Sequence, residues 1–294
     1  MWESFTVLKE NMRVLMSRDP DTKGFDEFTM SLGDGSMETV ENTNLVELPD
    51  EMCLKIEPNT PKNKESEKKS MIELADHVYP NLSNNFTKPK WMEGRAILAP
   101  TNKQVDELNN LIADSFPGQP IVMTSLDELI NPEDFQIFNT EYLNTLAPSG
   151  LPTHGLFIKK GMPVMLMRNL NPKTGLCNGT RLFFEKIHKN HLLECKIVGG
   201  EHGNRSVLIP LVTLLPKERE FPFEWCRRQF PVRVAFAMTI NKSQGQTLQN
   251  VGVWLNDPCF AHWQLYVAMS RVGSPRDIKF AIRKKRGFCE ESDK

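Results

Sequence analysis

No stretch of this 294-residue chain approaches the ~18 consecutive apolar residues of a membrane-spanning helix, and its first residues mix charges with apolar side chains. Neither a membrane span nor a signal peptide is therefore expected. Its six cysteines (Cys53, Cys177, Cys195, Cys226, Cys259, Cys289) form no C-x-x-C pair, which favours reduced thiols over disulfides or zinc. His188 and His191 invite a metal, but no cysteine or carboxylate completes a ligand set at a standard spacing, so no metal site is expected. The formal net charge of −1 removes a bulk electrostatic argument for nucleic-acid binding without excluding it, because binding depends on where the cations lie. No internal repeat is present. The loop G-x-x-x-x-G-K-[ST], whose amides and lysine hold a triphosphate, is also absent. Gly33-Asp34-Gly35-Ser36-Met37 is glycine-rich but lacks the lysine, and reads as a turn between two short extended pieces.

What is present begins with Thr239-Ile240-Asn241-Lys242-Ser243-Gln244-Gly245-Gln246-Thr247-Leu248, followed by Tyr266-Val267-Ala268-Met269-Ser270-Arg271. The first run reads as a strand end, a polar turn and a helix start, preceded by a buried strand over Val232 to Met238. A phosphate can be met where such a turn exposes backbone amides at a helix N-terminus. The second run reads as a helix, from Ala261 to Val272, that carries one arginine in a small, apolar stretch.

Length suggests about two domains at ~100–200 residues each, and 39% hydrophobic residues suffice for cores. Residues 1 to 57 read as a short amphipathic start followed by extended segments. Glu57 to Ser70, with alternating lysines and glutamates, reads as an exposed linker. From Arg95 strand-like and helix-like pieces alternate: Ala96 to Ala99 extended, then Thr101 or Asn102 as N-cap before Val105, Leu108, Leu111 and Ile112 at helical spacing. Such alternation implies a parallel α/β layer. Between Leu156 and Leu215 short strands follow one another instead: Pro163 to Met167, Thr180 to Ile187, Leu192 to Val198 and Val207 to Leu211. Tight turns between them argue for a small antiparallel barrel. Strands at Val251 to Leu255 and Ile278 to Ile282 restore the α/β pattern.

The two runs resemble motifs V and VI of the PIF-like (petite integration frequency) DNA helicases, a superfamily-one group of RecA-like motors. Leu8-Lys9-Glu10-Asn11-Met12-Arg13, Ala96 to Asn102, Gly161 to Leu170 and Gly175 to Leu182 are similar to the same family in the same order. The resemblance implies a RecA-like parallel-sheet second lobe with an inserted SH3-like β-barrel. The expected divisions are 1–57, leaving the first lobe and entering the second; 58–94, linker and first helix; 95–155, second lobe; 156–216, barrel; 217–286, remainder of the second lobe; and 287–294, tail. It also implies ATP-driven 5′ to 3′ movement on single-stranded DNA. No acidic pair ends an apolar strand upstream of Asn11, where the family places its magnesium carboxylates, so the chain is expected to begin after most of the first lobe. ATP and Mg2+ are then expected only where a first lobe is supplied, and the chain alone is expected to be inactive.

In the family, the arginines at the positions of Arg13 and Arg271 face the γ-phosphate as a sensing pair. The resemblance puts Gly245, with Gln244 and Gln246, near the nucleotide. Thr239, Thr101 and Asn102 sit where second-lobe strands end and touch the DNA backbone in the family, with helix capping an open alternative for the last two. Lys242, Ser243 and Gln244 offer donors of the sort that bind phosphodiester oxygens or relay nucleotide state. Arg168, Asn169, Asn178, Thr180 and Arg181 bracket a turn that meets DNA or pins the barrel. Phe183, Phe184, Trp225 and Phe230 are expected to be mostly core, and Arg283 to Arg286 a solvated tail or a nuclear-import signal. Three readings follow: a helicase component in repair, recombination or telomere maintenance; a noncatalytic single-strand-binding relic of a rolling-circle transposon; or a partner lending arginines in trans to a P-loop ATPase. The expected location is nuclear, otherwise intracellular and soluble, with no membrane partner.

Overall fold

A computed structural model describes residues 22–37, 46–54, 64–131, 133, 137–189, 191–217, 220–255 and 262–282. Arg13 with its motif, the Arg283 to Arg286 cluster, Cys259 and Cys289 lie outside the described residues. In chain order the strands are β1 (Arg95–Ala99), β2 (Ile121–Thr124), β3 (Leu126–Leu129), β4 (Gly155–Ile158), β5 (Pro163–Leu166), β6 (Arg181–His188) and β7 (Leu192–Ile197). They continue with β8 (Ser206–Pro210), β9 (Val212–Leu214), β10 (Trp225–Gln229), β11 (Val232–Val234), β12 (Ala237–Thr239), β13 (Asn250–Leu255) and β14 (Ile278–Ile282). The chain divides into two compact units.

The first unit draws on Met1–Asn81, Gly94–Ile112 and Ala237–Lys294. Its sheet is parallel throughout, in the order β12-β1-β13-β14. The core strands read as continuous apolar runs, Ala96 to Ala99 and Val251 to Leu255, and both are buried, as a parallel sheet covered on two faces requires. The helix Lys64–Val78 packs on β13 with Leu74 and Val78 fully buried, at about 1.5–3 kcal/mol per large apolar side chain. A Cβ at Gly252 would stand 2.6 Å from Val78 and 2.8 Å from Leu74, so the missing side chain is what lets this helix approach the strand. That helix corrects the expected linker: Lys64 to Ser70 is helical, with Ser66 and Ser70 buried, because its charges line one face while Met71, Leu74, Ala75 and Val78 line the other. The helix Asn102–Ser115 begins in this unit, with Thr101 Oγ1 accepting the Gln104 amide at 3.4 Å as an N-cap. A further helix, Thr22–Asp34, packs on the helix His262–Met269, and Gly33 lies against the Tyr266 ring, where a Cβ would come within 2.8 Å. The expected extended piece before Gly33 is thus helical, the helix runs through Gly33 and Asp34, and Gly35, at φ +75°, makes the turn after it.

The second unit comprises Leu82–Glu93 and Ala113–Phe236. It holds the antiparallel insert, a five-stranded sheet in the order β11-β5-β6-β7-β8. The four expected strands are present, with alternating inward residues such as Leu193, Cys195 and Ile197 on β7. The fifth corrects the reading of Val232 to Met238 as one strand. Val232–Val234 pairs antiparallel with Pro163–Leu166, whereas Ala237–Thr239 pairs parallel with β1, and Ala235-Phe236 divide them. The insert sheet therefore reaches beyond residue 216. A second sheet, β3-β10-β9, and the two-stranded ribbon β2-β4 complete the unit. Phe183, Phe184, Trp225 and Phe230 are all buried.

Candidate functional site

Parallel pairing places the C-terminal ends of β1 and β12 side by side, with Ala99 opposite Thr239. Open α/β sheets bind ligands at that edge, so Thr101 and Asn102 after β1 and Thr239 with Lys242 after β12 share one rim of the first unit. Thr239 is half-buried and forms no side-chain cap, whereas Thr101 is engaged as an N-cap and Asn102 is exposed. Ser243 is fully buried and its hydroxyl donates to Ile240 O at 2.6 Å, so it closes the turn rather than facing solvent.

The segment after Thr239 is a short 3-10 turn, Ile240–Ser243, and not the start of an α-helix. Gly245 stops any continuation, with φ at +80°, a region open to glycine and strained for side-chain-bearing residues; the space a Cβ would fill there is empty. Leu248, Gln249 and Asn250 then turn the chain into β13, the latter two amides both bonding Gly94 O.

Arg271 follows the helix His262–Met269 in a tightened turn, its amide reaching Ala268 O at 3.2 Å. It is buried, at 7% exposure, which for an arginine requires several acceptors. Nε donates to Val267 O at 2.9 Å, one terminal nitrogen to Ser243 O at 3.3 Å and Gln246 O at 3.4 Å, and the other to Ser270 Oγ at 2.7 Å. Its own carbonyl accepts the Leu248 amide at 2.9 Å. The two sequence runs thus meet as one hydrogen-bonded piece, which brings Arg271 together with Ser243 and Gln246 and with the Gln244-Gly245 corner between them. Gln246 is further tied to Lys242 O at 3.3 Å.

Sequence reasoning missed Asn109. On the buried face of the helix Asn102–Ser115 its amide brackets the backbone of the edge strand β12, accepting from Ala237 N–H at 2.8 Å and donating to Ala237 O at 3.1 Å. The legible signal was an asparagine among Val105, Leu108 and Ile112 at helical spacing. It fixes where the strand leading into Thr239 lies.

Also missed was a buried polar network in the second unit. Arg227 and Asp127, both fully buried, form a bidentate pair at 2.9 and 2.7 Å. The other guanidinium donors reach Leu143 O, Leu146 O and Pro152 O, and the cation sits 5.1 Å from the Trp225 ring. Ser125 Oγ donates to Asp127 at 2.7 Å and lies 2.8 Å from His154 Nδ1. With its amide nitrogen turned inward, Asn144 donates to Asp127 Oδ2 at 3.1 Å and Thr140 O at 3.3 Å. Serine and carboxylate face the same ring nitrogen, so this Ser, His and Asp set cannot relay a proton as a nucleophilic triad does. Its role is to lock β3, β10 and the helix Thr140–Thr145 together.

In the insert, Arg181 is buried and donates to Glu93 O at 3.2 Å, and Thr180 closes its own loop through Gly175 O; both are structural placements, while Asn169 and Asn178 are exposed. His188 Nε2 lies 2.6 Å from Glu194 Oε2 at the surface, a hydrogen-bonded contact and not part of a metal ligand set. Among the described residues no group of three or more His, Cys, Asp or Glu side chains is placed to hold a metal ion, and no helix is long and apolar enough to cross a membrane.

Residues 141–186 match the family model described as DNA helicase Pif1, 2B domain. The chain is 33% identical over 153 residues to the ATP-dependent DNA helicase PIF1 of Homo sapiens, a match covering 48% of this chain and 21% of the relative. It is 34% identical over 126 residues to that of Xenopus laevis, covering 39% and 17% respectively. The chain thus spans about a fifth of the length of these relatives. Among solved structures it is similar to the Pif1 helicase of Candida albicans, with a TM-score of 0.49, 22% identity, and coverage of 77% of this chain and 57% of that one. Residues 141–186 are thus similar to the 2B domain of Pif1 DNA helicases, and the chain as a whole resembles a C-terminal region of PIF-like helicases.

Proposed function

We propose that this chain supplies the second motor lobe and β insert of an ATP-driven helicase that moves 5′ to 3′ on single-stranded DNA. The rim formed by Thr101, Asn102, Thr239 and Lys242 holds the strand's backbone, and the Gln244-Gly245-Gln246 corner with Arg271 answers to the nucleotide. Arg13 is the second sensing arginine in this reading. One observation carries it: the Arg271 guanidinium bonds the carbonyls of Ser243 and Gln246, so the nucleotide-facing cation and the segment running from the DNA-facing rim are one mechanical piece. The triphosphate and Mg2+ have their principal ligands in a P-loop lobe, since this sequence contains no lysine-bearing phosphate loop. What the chain adds there is positive charge at the transferred phosphate, worth roughly 1,000- to 100,000-fold in rate where such an arginine acts. DNA unwinding in repair, recombination or telomere maintenance, in the nucleus or within a transposon-derived element, is the setting that the resemblance suggests.

The test is reconstitution with a first lobe bearing a P-loop, in one polypeptide or in trans. DNA-stimulated ATP hydrolysis should appear, and Arg271→Lys should reduce kcat at least 100-fold while leaving single-strand affinity within about 3-fold. Turnover unaffected by that substitution refutes the sensing role. DNA affinity with no salt dependence refutes the backbone rim, because single-strand binding should weaken with a log–log slope of about 0.7 per neutralised phosphate.

A further inference from the structure

The helix His262–Met269 ends in a turn that leaves one carbonyl without its helical donor. The Arg271 amide, which a continuing α-helix would direct to Val267 O, bonds Ala268 O instead. Two side chains take up Val267 O in its place: Ser270 Oγ donates to it at 3.0 Å and Arg271 Nε at 2.9 Å. Arg271 can only donate and a carbonyl can only accept, so the direction of each bond is fixed. The Ser270 hydroxyl therefore gives its proton to Val267 O and accepts from Arg271 Nη2 at 2.7 Å. Val267 O, Ser270 Oγ and one edge of the guanidinium close a ring of hydrogen bonds, and Ser270 is buried within it.

The fork is thus held in two ways. Nε and Nη2 form one rigid edge, and that edge is bonded at 2.9 and 2.7 Å to the arginine's own turn, which fixes the plane of the group. Nη1 reaches across to Ser243 O and Gln246 O at 3.3 and 3.4 Å, longer than the ~2.9–3.0 Å typical of an N–H···O bond. An arriving anion displaces the long bonds before the short ones. We infer that Ser270 is a positioning residue for Arg271: its hydroxyl keeps the Nε–Nη2 edge on the helix, so that Nη1 is the nitrogen that exchanges a main-chain oxygen for a phosphate oxygen. The inference rests on the nucleotide-sensing reading of Arg271 above and assigns within it the nitrogen that is delivered and the hydroxyl that aims it. Without that hydroxyl Nε still bonds Val267 O, but the plane can turn about this one bond.

The experiment uses the full chain reconstituted with a P-loop lobe and compares Ser270→Ala, Arg271→Ala and the double variant. Ser270→Ala should lower kcat and kcat/KM for ATP together by about 10- to 100-fold, the loss of one hydrogen bond to a charged group, with single-strand affinity within about 3-fold of wild type. Ser270→Thr, which keeps a hydroxyl able to bond the carbonyl one turn back, should restore turnover. In the Arg271→Ala background the serine substitution should cost less than about 2-fold, because the hydroxyl acts only through the guanidinium. In the chain by itself, exchange of the Arg271 Nε proton with water, read by proton–nitrogen NMR, should quicken about 10-fold or more in Ser270→Ala. Wild-type turnover in Ser270→Ala, an equal loss from that substitution with and without Arg271, or an unchanged Nε exchange rate overturns the positioning role and leaves the sensing role standing. Turnover indifferent to Arg271→Ala overturns the sensing role and the positioning role with it.

Discussion

Replacing Asp127 by asparagine should be among the most damaging single-atom changes available in this protein. All five N–H bonds of Arg227 are engaged, two by the Asp127 carboxylate and three by the carbonyls of Leu143, Leu146 and Pro152. Asparagine keeps the shape but removes the charge and one acceptor, leaving a guanidinium at 0% side-chain exposure with no opposite charge on its bidentate partner. Breaking a buried pair in this way costs about 3–5 kcal/mol. Against a total stability of roughly 5–15 kcal/mol, that loss removes a large fraction. The second unit should melt about 6–20 °C lower, at ~2–4 °C per kcal/mol. Arg227→Met should be worse still, because it orphans three buried carbonyls as well as a carboxylate, each carbonyl at about 1–3 kcal/mol. Because the chain divides into two units, a single global midpoint would mix them. The assay is hydrogen exchange with urea, read on peptides covering residues 125–154 and 225–229, with peptides from β1 and β13 as internal controls. An Asp127→Asn protein within about 1 kcal/mol of wild type in those peptides, or an Arg227→Met protein more stable than it, would refute the accounting.

Two more outcomes follow. Asn109→Ala strips both the donor and the acceptor that bracket Ala237, and should cost about 2–4 kcal/mol; amide exchange at Ala237 should quicken in proportion, and an unchanged rate would show that the bracket contributes nothing. Burial, followed by Glu185 and Glu194, pushes the Cys195 thiol from 9.0 up to about 12. The unfolded chain therefore loses this proton first, so stability is full below pH 9 and falls as pH rises toward 12. Native protein at pH 8 should leave Cys195 unalkylated by iodoacetamide, as mass spectrometry of the digested protein would read, while urea exposes it; alkylation in the native state would sink the assignment.

Periodicity marked most of the strands because each carries its own pattern. β1 and β13 are apolar runs, and β7 alternates cleanly between inward and outward residues. The same signal failed at Val232 to Met238, where two strands of different sheets follow each other with only Ala235-Phe236 between. Burial makes both halves apolar, so hydrophobicity alone shows no seam. Lys64 to Ser70 was unreadable for the opposite reason: its first turns are charged, and only the later Met71, Leu74 and Val78 give it a buried face. At the candidate site, the pairing of the motif at Thr239 with that at Arg271 was legible from family resemblance. That no α-helix follows Gly245 was not, since nothing local distinguishes a helix entry from a turn whose ends are fixed by Gly94 and Arg271. The Asp127–Arg227 pair spans a sequence separation of 100, and no local pattern reports a partner that far away.

Arg271 enters any encounter with an anion already saturated along much of its fork. A phosphate oxygen would gain that guanidinium by exchange, displacing a main-chain oxygen at Ser243 or Gln246, so the net gain in affinity is small. What is exchanged is position: an acceptor released at Gln246 loosens the glycine corner beside it, and the length of chain back to Thr239 is free to shift. Occupancy at one end of the segment would then be read as slack at the other.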